Sequence, residues 1–127
     1  MMDGFWNLPG VWIATAAGLF MAVNAMRSLS RPEPFAAYLG LPLADPRDAG
    51  MVWVYGLRAL FIALAVSALL VLGDPRPLGW LRAAAVVMPV GDAVLTRNAG
   101  APRATVIRHI AIATVLATAA VLLLVQA

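Results

Sequence analysis

The chain has 127 residues, 63% of them hydrophobic and 12% charged, with nine basic residues against six acidic ones and a formal net charge of +3. A soluble domain carries roughly a quarter charged residues, so this composition excludes an ordinary water-soluble fold; the length accommodates one integral membrane domain, residues 1–127, of about four spans of roughly 20 residues each. Cysteine is absent, which excludes disulfides and thiol chemistry, and every basic residue is arginine, which excludes lysine Schiff bases.

The opening MMDGFWNLPG holds an acid and no basic stretch before its apolar run. It does not read as a cleaved signal peptide, and the first span is expected to stay. Four apolar runs follow, at about residues 9–26, 51–72, 78–96 and 104–126. At about 1.5 Å per helical residue each reaches across a hydrocarbon core. The third is the shortest, and Pro89 and Gly91 interrupt it. Pro89 frees the carbonyl of Ala85, which a broken span tolerates where neighbours or a cavity satisfy it.

Proline- and glycine-rich connections separate the runs, and their shortness predicts antiparallel neighbours. The expected fold is all-α, an antiparallel bundle of four transmembrane helices. The first connection is longer, and PFAAYLGLPL sets Phe35, Tyr38, Leu39 and Leu43 near helical spacing. A short amphipathic segment at the membrane interface is expected there, between the first and second spans. Small residues four apart, Ala14, Gly18 and Ala22, then Ala59, Ala63 and Ser67, then Ala113 and Ala117, predict close helix packing.

Arginines 27, 31, 47, 97 and 103 fall in the first and third connections, with Arg108 just inside the last span, whereas the opposite face holds Arg76 and Arg82. The positive-inside rule makes those two connections cytoplasmic and both termini non-cytoplasmic. Arg82 reads as an interfacial anchor. The basic excess reflects this membrane pattern, not nucleic-acid binding.

On that topology Asn24, Arg58, Asp92 and His109 fall at a common depth, roughly 5 to 10 Å inside the cytoplasmic boundary at 1.5 Å per residue. An ionisable group inside a span costs about 2.5 to 3.5 kcal/mol even on the lenient insertion scale, so it normally finds a partner or a function. Arg58 is expected to pair with Asp92, because a guanidinium fork matches a carboxylate. Arg58, with Tyr55 one turn earlier and Asn24, forms the expected ligand-binding set. His109, the sole histidine, and Asp92 are the expected catalytic, proton-exchanging pair. No metal site or cofactor is expected, since His109 with Asp92 supplies too few ligands. The alternative is a structural network, or side chains that snorkel to the near interface.

The motifs NAMRSL and PFAAYLGLP after the first span, YGLRAL in the second, PVGDAVL in the third and RHIAIA in the fourth resemble a family of small bacterial four-helix membrane proteins catalogued as a domain of unknown function, DoxX-like in architecture. The resemblance implies a four-helix bundle with Arg58, Asp92 and His109 at family positions, in a bacterial inner membrane, and no established activity. The functional expectation is a cytoplasmic-leaflet pocket for a hydrophobic small molecule or lipid, suited to isomerisation or cyclisation by proton transfer. The alternatives are a homo-oligomeric, proton-coupled transporter and a structural accessory subunit.

Overall fold

The computed structural model of the chain describes residues 2–127. A single turn, α1 (Met2–Phe5), leads into α2 (Pro9–Ser30) and a short α3 (Pro32–Leu39). A 3-10 turn at Pro46–Asp48 precedes α4 (Ala49–Leu72), and α5 (Pro75–Ala85), α6 (Val87–Asn98) and α7 (Arg103–Gln126) complete the chain. Among the described residues, four stretches are long and apolar enough to cross a membrane: Pro9–Ser30, Pro46–Leu72, Pro75–Asn98 and Arg103–Gln126. Each expected span lies within one of them, and the fold is all-α.

Local chemistry sets the boundaries. Prolines 9, 32 and 75 open α2, α3 and α5, where the missing N–H is one of the unpaired donors of any first turn. The Asp74 carboxylate caps α5 by accepting from the Arg76 N–H at 2.9 Å. Asp45 does the same for the turn before α4, and the Arg47 side chain bonded to it holds its carboxyl below the ordinary range.

The third span is two helices joined at Val86. The break falls before Pro89, not at it. Pro89 occupies the first turn of α6, where helices tolerate proline, and the ring that cannot continue α5 begins a new helix instead.

The helices form a ring in which α2 packs between α4 and α7, and α7 packs on the split α5–α6. Glycines make the approach close. A Cβ added at Gly10 would come within 2.9 Å of Leu123, one at Gly79 within 2.9 Å of Leu124, and one at Gly18 within 2.9 Å of Val66. This is small-residue packing of the membrane type. Ala14, Ala59 and Ala63 are buried beside them.

Two apolar clusters mark the ends. Phe5, Val11, Val66, Leu78 and Leu123 close the end that carries both termini, and Phe35 and Ala36 of α3 with Val52 of α4 close the other. The α4 helix meets the split helix through α5, and toward the α3 end a gap opens between α4 and α6.

Candidate functional site

Gap and lid together make the site. The end of α3 is a Schellman motif: Leu41 N–H bonds to the Ala36 carbonyl at 3.1 Å and Gly40 N–H to that of Ala37 at 3.0 Å, with Gly40 at φ 88°. The last carbonyls of the helix, on Tyr38 and Leu39, are left needing donors. Neighbouring residues of α7 supply them: Arg108 Nη2 donates to the Tyr38 carbonyl, and His109 Nε2 lies 3.1 Å from that of Leu39. Thus α3 is clamped over the bundle by side chains 70 positions away in sequence.

Beneath it lies a cavity of about 210 Å³, walled by apolar residues of α3, α4 and the connection between them, among them Leu39, Leu43 and Val52, and reached by Tyr55, Asp92, Thr96 and His109. A carbonyl only accepts, so His109 Nε2 carries the hydrogen of this contact and Nδ1 is the ring nitrogen turned toward Asp92. That Nδ1 stands 4.0 Å from Asp92 Oδ2. The imidazole is 4% exposed and the carboxylate 36%, so the carboxylate is the more open member of the pair. Thr96 spends its hydroxyl on the Asp92 backbone carbonyl at 2.7 Å. Among the described residues that line the cavity, the Asp92 carboxylate and the Tyr55 hydroxyl make no hydrogen bond.

Three of the five expected site residues therefore come together: Tyr55, Asp92 and His109. The other two do not join them. Arg58 is exposed on α4 and lines no part of the cavity, and the expected Arg58–Asp92 pair is replaced by His109–Asp92. Asn24 is buried on α2, with Oδ1 lacking a hydrogen-bond partner among the described residues. Equal depth put the four residues in one layer, but their directions around the helix axes differ. Among the described residues no three His, Cys, Asp or Glu side chains converge as a metal site needs.

The sequence profile of a family described as a domain of unknown function, DUF4267, matches residues 18–123. The chain belongs to that family. No curated protein and no solved structure matches it. The DUF4267 stretch takes in all of α3, α4, α5 and α6, and with them the lid, the cavity and the Asp92–His109 pair.

A buried residue of the DUF4267 region escaped the sequence reading. Arg82, expected at the interface, is 1% exposed and is the largest fully buried side chain among the described residues. It crosses from α5 to α2, where Nη2 donates to the Ala14 carbonyl at 2.5 Å, beside Gly18. Its Nε has no partner among the described residues. The reason is the start of the helix. Counted from residue 78, Arg82 is the fifth residue of the span, whereas α5 begins at Pro75 and sets it three residues, nearly a turn, deeper. The signal available was Asp74 followed by Pro75, a capping residue ahead of an N-terminal proline.

Proposed function

We propose that the protein binds a small, mostly apolar molecule with one hydrogen-bonding group in the cavity under α3, and that Asp92 and His109 hold or exchange its proton. One observation carries this reading: a carboxylate–imidazole pair lines one wall of a mostly apolar cavity. About 210 Å³ is below the roughly 300–1,000 Å³ of pockets for drug-sized ligands, so the ligand is compact. The Asp92 carboxylate takes or gives the proton at the ligand, and His109 Nδ1 stands behind it as the second station, fixed in orientation by Leu39. Tyr55 adds a hydroxyl on the α4 side. Isomerisation or cyclisation by proton transfer is the reaction class such a pair serves. The arginine distribution supports a plasma membrane setting with the α3 end cytoplasmic and both termini on the other side.

The test is native mass spectrometry of the detergent-purified chain, with Asp92→Asn and His109→Gln compared by circular dichroism for folding. A co-purifying small molecule is expected on the wild type and reduced roughly ten- to a hundred-fold on Asp92→Asn, the worth of a hydrogen bond to a charged group. Equal occupancy on all three folded proteins, or none on the wild type, would sink the reading and leave the pair a structural clamp.

A further inference from the structure

On the side of α7 away from the cavity, α2 and α7 enclose a second, outward-facing groove of about 450 Å³. Ala16, Phe20, Ala111 and Val115 line it, and its α3 end stops at Tyr38 and Arg108. Phe20 is 39% and Val115 47% exposed, so the groove opens to the acyl chains of the bilayer. Alanines on both helices, where neighbours carry larger side chains, make it a channel along the membrane normal.

Its end is cationic. The Arg108 guanidinium carbon lies 3.9 Å from the Tyr38 ring centroid and that of Arg27 lies 4.5 Å from the same centroid. A second aromatic contact places Arg27 5.7 Å from Phe35. Neither guanidinium has a carboxylate partner among the described residues, where the ion pairs are Arg47 with Asp45 and His109 with Asp92. Arg27 makes no side-chain hydrogen bond there either, and Arg108 donates only to the Tyr38 carbonyl. Two like charges held against one ring repel each other, and an anion between them converts that repulsion into attraction. Each guanidinium still offers N–H donors in the fork that matches phosphate oxygens.

We propose that this groove binds one anionic phospholipid of the α3-side leaflet, its phosphate bridging Arg27 and Arg108 and an acyl chain lying along Ala16, Phe20, Ala111 and Val115. Charge complementarity selects this occupant: an apolar channel open to lipid and ended by two unpaired cations at the membrane boundary matches a negative headgroup on a hydrocarbon tail. Basic sites between helices at such a boundary commonly take acidic lipids. Tyr38 is the hinge of the site, since its ring carries the two cations while its carbonyl ties α3 to Arg108.

The experiment is native mass spectrometry of the full chain in detergent with equal amounts of phosphatidylglycerol and phosphatidylcholine. The wild type is expected to retain phosphatidylglycerol preferentially. Arg27→Gln and Arg108→Gln each lower that preference about five-fold, and Ala16→Phe, which fills the groove without changing charge, lowers retention of the bound lipid. Arg31→Gln, at the same boundary but outside the groove, keeps the wild-type preference, as does Asp92→Asn, which separates this site from the cavity under α3. Should Arg108→Gln loosen α3, Arg27→Gln alone decides, because the Arg27 side chain is exposed and, its ring contacts apart, makes no hydrogen bond among the described residues. Preference unchanged in Arg27→Gln, or lost as fully in Arg31→Gln, overturns the proposal; the latter marks a diffuse electrostatic attraction without a built site.

Discussion

At Arg82 a full positive charge lies inside the bundle with a backbone carbonyl as its hydrogen-bond partner and its Nε unpaired. Burying an ion without a counter-ion is unfavourable, and apolar residues of similar volume commonly replace buried charges at no loss or with a gain of about 1–4 kcal/mol. Arg82→Met is therefore expected to match or exceed the wild type in thermal stability. Arg82→Ala removes the same charge but leaves a cavity beside Gly18 and Val66, and is expected to lose about 2–5 kcal/mol. Melting temperatures of the two purified variants check both. If Arg82→Met falls as far as Arg82→Ala, the guanidinium itself holds α5 to α2. The sequence made this charge visible but misplaced it, because a helix start wrong by three residues turns a buried arginine into an interfacial one.

For the elements, α3 shows what periodicity reveals and what it leaves out. The spacing of Phe35, Tyr38, Leu39 and Leu43 is enough to predict an amphipathic segment between the first two spans. It does not reveal that the last two carbonyls of α3 bond to Arg108 and His109, since a contact across 70 positions depends on how the helices turn toward one another. The lid depends on Gly40, whose φ of 88° suits glycine and whose added Cβ would come 2.7 Å from Thr105 Cγ2. Gly40→Ala is expected to cost about 1–2 kcal/mol for the left-handed conformation alone, with the Thr105 contact added. The measurement is hydrogen exchange: faster exchange at Gly40 and Leu41, with the middles of α4 and α7 unchanged, shows a lid that opens while the bundle holds. Uniform acceleration throughout contradicts a separable lid.

Across the whole molecule, hydropathy and rise per residue fix depth but not direction. That is why the sequence grouped Asn24, Arg58, Asp92 and His109 by depth, whereas the cavity brings together only Asp92 and His109 of these four, with Tyr55, and leaves Arg58 and Asn24 outside it. Depth also carries the orientation argument, because the Arg27–Tyr38–Arg108 cluster, α3 and the cavity all lie at the arginine-rich end. The chain has no cysteine, so single cysteines report topology against a silent background. Asn98 and Pro77 are exposed at opposite ends of the split third span, and neither makes a side-chain hydrogen bond among the described residues. Neither substitution alters the arginine balance on which orientation depends. In intact cells a membrane-impermeant maleimide is expected to label Pro77→Cys, and Asn98→Cys only after the membrane is opened. Both variants should react equally once solubilised, which controls for intrinsic thiol access. The reverse pattern would place α3 outside the cell and expose the lipid groove to the outer leaflet. A ligand for the Asp92–His109 cavity would then have to be sought among compounds that reach the protein from outside.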